Sequence, residues 1–538
     1  MPHTSENPAA TSSAPGAFSP FGHVAFALLW TATLISNVGT WMHDVGAGWL
    51  MTTLNSSPAV VTLVQAATTL PVFLFALFAG TLADRLDKRR MLITINVIVT
   101  GVAVLLTVMV WQEVMTPVLL ILFTFAMGTG AAFMAPAWQA VVPQLVPREK
   151  LKPAIALNSM GINISRAIGP ALAGVLIASV GLAAPFALNA ASHVVIILAL
   201  VLWKPPVAKK KSYHGPILSD MATGLRHVRY NDALKETAYR SMAFFIFASA
   251  YWSLLPLIAR QAEGGGSELY GILMALIGTG AVTGALLLPR FGKTISSDMT
   301  VRLGTVGTMI ALCAMAISAT PPALMIAAFL GGFSWIAVLT SFNVSAQMAL
   351  PDWVRARGLA VFLMVFFGSM ALGSIIWGQV ANASSVQVAL LIATAGLGLG
   401  IVVTRKFKVG KGETSNLTPA SVWPEAPSLS TSQATHQKAM VTIEYQVAEQ
   451  HRDAFLAKLH AFAKERFRDG ATRWFVHESV EAPGTWLETF HLPSWSEHLE
   501  QHERVTKDDA DLQAELRTFD MRASGPVVRH FVSAEPGE

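Results

Sequence analysis

Residues 80–90 read Gly80-Thr81-Leu82-Ala83-Asp84-Arg85-Leu86-Asp87-Lys88-Arg89-Arg90. Four cations and two acids are packed into these eleven residues. Residues 58–81 before them and 91–111 after them contain no Asp, Glu, Lys or Arg. Each flank matches the roughly 20 apolar residues that cross a bilayer as a helix. The stretch therefore reads as a short basic turn between two membrane spans.

The same pattern extends in both directions. Twelve apolar stretches are expected to span: 23–46, 58–81, 91–111, 117–142, 153–178, 182–203, 238–259, 268–289, 302–319, 323–348, 357–380 and 385–404. The even-numbered connections, together with the first residues of the spans that follow them, hold twenty Lys and Arg, whereas the odd-numbered ones hold only Arg260. Basic loops stay on the inner side of a membrane, so both termini are expected in the cytoplasm.

The whole chain of 538 residues is 53% hydrophobic and 13% charged, with a mean hydropathy of +0.50. Soluble domains carry about 25% charged residues. Charge is also unevenly placed. Residues 1–404 hold 22 Lys and Arg against 13 Asp and Glu, and residues 405–538 hold 16 against 20. The basic balance thus belongs to membrane loops and indicates no nucleic-acid partner. A single cysteine, Cys313, excludes an intramolecular disulfide.

These shifts divide the chain into a flexible N-terminus (1–20), a six-span half (21–203), a cytoplasmic central loop (204–237), a second six-span half (238–404), a linker (405–436) and a soluble tail (437–535). The N-terminus has no Lys or Arg, unlike a cleaved leader. The halves echo one another. Pro143-Gln144-Leu145-Val146-Pro147-Arg148 is matched by Pro351-Asp352-Trp353-Val354-Arg355, and Gly169…Gly174 by Gly373…Gly378. Parallel six-span halves are a transporter architecture. In the tail, the periodicity predicts strand 439–447, helix 449–468, strands 472–480 and 485–492, helix 494–517 and strand 526–533, a ferredoxin-like order. The fold class is therefore an all-α membrane protein of twelve helices with a small α+β tail.

Residues 80–90 resemble the signature loop of the major facilitator superfamily, with Gly80, Asp84, Arg85 and Arg89 at the motif's spacing and Asp87 in place of a usual glycine. The resemblance implies that Asp84 ties the second span to the start of the eleventh, near Arg355, Arg357 and Gly358. Gly161, Ser165, Gly169-Pro170 and Gly174 in the fifth span resemble the superfamily's antiporter motif, with Ala173 where a glycine is usual. That implies export. Trp41-Met42, Trp49-Leu50, Ser57-Pro58, Pro136-Ala137, Val146-Pro147-Arg148 and Ala156-Leu157-Asn158 are similar to the enterobactin-exporter-like, transmembrane secretion effector branch. The implied function is a proton-driven exporter of a small organic molecule, a siderophore, drug or metabolite, in a bacterial inner membrane. Uptake, or a tail that senses or modifies the cargo, are the other readings. No Walker motif accompanies Gly264-Gly265-Gly266, and the chain reads as a transporter rather than an enzyme, with no cofactor.

Ionisable residues at membrane depth are costly and mark pathways. Asp44 and Arg166 are the expected coupling pair, although Asp44 alternatively sits at the outer interface beside Trp41 and His43. His193 reads as a paired polar group. Gln65, Gln139, Asn158, Asn163, Asn343 and Gln347 are the cavity candidates. The tail resembles small antibiotic-biosynthesis-monooxygenase-like barrels, which implies a homodimer. Its His498 and His502 stand one helical turn apart, with His491, His530 and Glu503 elsewhere in the tail. Two histidines on a helix alone do not make a metal site, so none is assigned.

Overall fold

The computed structural model describes residue 16 and residues 18–205, 217–291, 295–420 and 437–534. Among the described residues twelve helices are long and apolar enough to cross a membrane. In the first half they are α1 (Val24–Leu54), α2 (Pro58–Arg85), α3 (Lys88–Trp111), α4 (Pro117–Val141), α5 (Leu151–Ser179) and α6 (Ala184–Leu202). The second half holds α8 (Asp232–Gln261), α9 (Ser267–Phe291), α10 (Ser297–Ile317), α11 (Pro321–Met348), α12 (Arg355–Ala383) and α13 (Val386–Val403). Between the halves lies α7 (Ile217–Tyr230), within the stretch expected as loop. The seventh span begins earlier than expected because Asn231 caps α8, its Oδ1 accepting from Leu234 N at 3.0 Å. An N-cap of this kind satisfies an amide that would otherwise lack a partner.

Local chemistry sets the other helix starts. Pro58, Pro117 and Pro321 occupy first-turn positions, where the missing N–H costs nothing. Asp87 caps α3 by accepting from Arg90 N at 2.8 Å, and its extended backbone (φ −64°, ψ 114°) needs no glycine. That explains the departure from the loop motif. Arg89 donates from Nε to Leu200 O at 2.7 Å and from Nη2 to Val201 O at 2.6 Å. It therefore covers the carbonyl end of α6, where a cation is favoured.

The sequence echo between halves has a structural counterpart. A side chain at Gly169 would meet α1, at Trp41 Cβ (2.6 Å) and Val38 O (2.9 Å). At Gly174 it would meet α9, at Ser267 O (2.9 Å) and Gly271 Cα (3.0 Å). Correspondingly, a Cβ at Gly373 would overlap Ile246 and Ser249 of α8, and one at Gly378 would overlap Thr62 of α2. Fifth span on first and eighth is thus repeated as eleventh span on seventh and second. Gly174 and Gly378 lie toward the ends of α5 and α12 remote from the tail. Both close approaches lie at that opposite face.

The tail is a four-stranded antiparallel sheet, β1 (Ala439–Gln446), β2 (Arg473–Glu478), β3 (Thr485–Leu492) and β4 (Val527–Val532), in the order β2-β3-β1-β4. Helices α14 (Arg452–Arg468), α15 (Trp495–Arg504) and α16 (Lys507–Arg517) accompany it. The expected helix 494–517 is broken in two. Thr506 starts α16 with a capping box, its Oγ1 accepting from Asp509 N while Asp509 accepts from Thr506 N. Alternating residues of β3 are buried, and Tyr445, Phe455, Leu459 and Phe490 fill the core.

The expected linker is held along its first part. Lys408 N donates to Glu236 at 2.8 Å, Gly410 N to Ser345 Oγ at 2.9 Å, and Ala420 N to Val505 O at 2.9 Å. Residues 405–420 thus bond to both units, while 421–436 and residues 1–15 lie outside the described ones.

Candidate functional site: the path between the halves

Two cavities lie between the halves. The first, about 620 Å³, is bounded by His43, Asp44, Gln139 and His193 deep in the first half, and by Gly80, Arg85, Ala356 and Arg357 at the tail-bearing face. The second, about 390 Å³, is bounded by Trp41, Asp44, Gln65, Arg166, Tyr270 and Asn343, with Trp252, Trp335 and Phe366. Asp44 and Thr68 line both. Among the described residues that line these cavities, Asp44 is the only acid.

Helix spacing explains the grouping. Trp41, Asp44 and Gly48 recur at three and four residues along α1, one stripe of a helix. Arg166 reaches the same stripe from α5, its Cζ 5.4 Å from the centre of the Trp41 ring. A cation over an indole face is attracted by the ring's charge distribution. Asp44 and Arg166 share the second cavity without an ion pair between them among the described residues.

The other candidates divide. Gln65 and Asn343 line the second cavity, and Gln139 the first. Asn158 instead accepts from Trp138 Nε1 at 3.1 Å, tying α4 to α5, and Gln347 is exposed outside both cavities. Asn163 donates to its own helix at Ser159 O. His193 lines the first cavity and meets Asn96 Oδ1 through Nδ1 at 3.0 Å. Arg85 and Arg357 bring the signature loop and the start of α12 to one cavity mouth. The side chain of Asp84 lies outside the described residues. Gly169, Pro170 and Gly174 sit on the packed face of α5, against α1 and α9.

The sequence reading passed over two groups. His43 is buried at 2% exposure, with both ring nitrogens lacking a protein partner and its ring edge-on to Phe186. The aromatic wall of Tyr251, Trp252, Trp335 and Phe366 packs ring on ring, with centroids 5.1–6.5 Å apart for neighbouring pairs. Its members are scattered over α8, α11 and α12, so no local motif announces it.

The tail docks on the membrane unit at the same face as the first cavity. Arg226 of α7 pairs with Glu497 of α15 at 3.1 Å, and Tyr230 stacks on Phe467 with centroids 5.1 Å apart. Arg504 places its Cζ 4.5 Å over the Trp353 ring, in the loop that precedes α12. A Cβ at Gly224 would stand 3.0 Å from Arg357 Cβ, so α7 is wedged against the start of α12. His227 is fully buried there, edge-on to Trp353. Burial, then the cations of Arg468, Arg504 and Arg226 against the opposing Asp509, push its imidazole down to about 3.

Residues 15–537 match the family model described as transmembrane secretion effector. The chain belongs to the transmembrane secretion effector family. The match runs through the tail as well as the spans. The staphyloferrin A transporter of Staphylococcus aureus is 25% identical over 352 residues, 64% of this chain and 86% of that one. The enterobactin exporter EntS of Shigella boydii is 24% identical over 401 residues, 72% and 94%. A solved bacterial homologue of the lysosomal transporter Spinster, inward-facing and unoccupied, superposes with a TM-score of 0.58 at 12% identity, covering 71% of this chain and 97% of that one. The transmembrane secretion effector chain described here is therefore a multi-pass transporter with the major facilitator fold, not an enzyme.

Proposed function

We propose that this protein exports a small organic molecule across a bacterial inner membrane in exchange for protons, by alternating access between the two halves. The observation that carries the reading is the position of Asp44, the one acid among the described residues that line the two cavities, and shared by both. A carboxyl exposed in turn to each side can carry a proton one way as cargo leaves the other. Arg166 is the neighbouring cation, and the aromatic wall with Gln65 and Asn343 suits an amphipathic cargo bearing rings and hydrogen-bonding groups, such as a siderophore, a drug or a metabolite. Both termini and the tail lie on the cytoplasmic side in this reading, in keeping with the basic loops. The cavity that reaches Arg85 and Arg357 is then the cytoplasmic entry.

Asp84, Arg85 and the Gly169-Pro170 segment shape the two facing states, and the tail acts on the α12 end of the path. A homodimer would form on the outer face of the tail sheet, where Phe475 and Phe531 are each 45% exposed. Accumulation of an aromatic fluorescent panel in efflux-deficient cells tests the whole reading. Expression lowers accumulation, a protonophore abolishes the effect, and Asp44→Asn removes proton-driven efflux while Asp44→Glu retains part of it. Raised accumulation on expression overturns the direction. Intact efflux by Asp44→Asn overturns the coupling role.

A further inference from the structure

The tail fold brings a third histidine, distant in sequence, to a pair on one helix. His498 and His502 stand one turn apart on α15, and His530 comes from β4. Register decides which other histidine joins them. His530 pairs with Val441, whose side chain is in the core, whereas His491 pairs with Met440 on the outer face. Cross-strand partners share a face, so His530 points at α15 and His491 points away. The Glu503 side chain lies outside the described residues.

Distances match a ligand set. Nε2 of His498 and Nε2 of His502 are 3.3 Å apart, and one ligand nitrogen from each of the three rings falls within 4.8 Å of the others. Zinc–nitrogen bonds of about 2.0–2.1 Å at tetrahedral angles put two ligand nitrogens roughly 3.3 Å apart. His530 needs to move by at most about 1.5 Å to reach that spacing, a ring rotation on a strand near the chain end. His498 is 1% exposed, so its ring is held in the packed interior of the tail beside the other two. Trp495 closes the apolar side, 5.0 Å from the His498 ring and 5.8 Å from that of His530.

We propose that His498, His502 and His530 form a binding site for a divalent transition-metal ion. Three imidazoles with one open position suit zinc, and also cobalt, nickel and copper ions, over magnesium or calcium, which prefer oxygen ligands. The site sits on the helix that also carries Glu497 and Arg504, the residues that hold the tail to α7 and to Trp353. Bound metal joins α15 to β4 and fixes the clasp. The proposal is independent of the cargo.

The test uses the intact, untagged chain purified in detergent. Zinc is titrated by calorimetry, and cobalt is followed through the visible bands of a tetrahedral complex. The expected result is one tight equivalent with tetrahedral cobalt bands. His502→Gln and His530→Gln, both at half-buried positions, each weaken binding by on the order of 10–100-fold or more and lose the bands, while His491→Gln leaves both unchanged. Circular dichroism of each variant confirms the fold. Absence of a saturable equivalent overturns the site, as does binding by His502→Gln and His530→Gln equal to that of the parent. Unequal loss, with His530→Gln inert, also overturns the three-histidine site.

Discussion

Gly174→Ala tests whether the contact of α5 with α9 is the seal at the face opposite the tail. Its Cβ would stand 2.9 Å from Ser267 O and 3.0 Å from Gly271 Cα, both backbone atoms of α9 that have no rotamer to yield. Overpacking of this kind costs about 1–3 kcal/mol. The cost falls only on the state in which α5 and α9 touch, so the ratio of the two facing states shifts by roughly 5–150-fold toward the one open at that face. Thr68→Cys provides the reporter, since Thr68 lines both cavities. With Cys313→Ser as background, an impermeant maleimide added to whole cells labels it only when the path opens outward. The expected result is labelling faster by about tenfold or more at unchanged expression. Unchanged labelling with a folded protein refutes the idea that this contact is the seal. Gly378→Ala, against Thr62, is expected to act the same way through α2 and α12.

Other expectations concern the tail. His227 is held near 3 when buried at the docking face, against an ordinary value of about 6.5, so docking is complete above pH 6.5 and weakens as pH falls toward 3. At pH 5.5 the loss is on the order of 1 kcal/mol; hydrogen exchange at α7 rises accordingly, and His227→Phe flattens the profile. Arg504→Ala removes the cation over Trp353 and the ion pair with Glu497 at 2.7 Å, weakening docking by about 1–2 kcal/mol, read as loss of proteolytic protection near residue 353. Glu488 is fully buried and accepts from Arg466 Nε and Trp474 Nε1 at 3.1 Å and from Tyr445 at 3.2 Å. Glu488→Leu removes the buried carboxylate that pairs with Arg466 and destabilises the tail by about 3–5 kcal/mol, visible as tail unfolding at lower denaturant with the spans intact.

The spans and the tail strands were legible because burial imposes composition and period on the chain. The Gly169…Gly174 and Gly373…Gly378 echo was legible because close helix approach demands small residues at fixed spacing. Three kinds of feature were hidden. Helix α7 is a polar, amphipathic helix inside a charged loop, so hydropathy does not reveal it. The division at Val505-Thr506 depends on a capping box whose Thr and Asp also occur in exposed helices. Site membership was the least legible, because it depends on which helix faces meet. Asn158 and Gln347 look like Gln65 and Asn343 in sequence, yet they line neither of the two cavities. His530 joins His498 only through sheet register.

Residues 405–420 bond to the membrane unit at one end and to the tail at the other. A tail on so short a strap experiences its docking surface at an effective concentration in the millimolar range. Contacts too weak to assemble two separate proteins therefore suffice here. Exposed pairs such as Lys464 with Asp232, worth about 0–1 kcal/mol, contribute to a docked state that is populated yet easily released. The same tail supplied in trans competes poorly, and lengthening the strap loosens the clasp without altering a single contact.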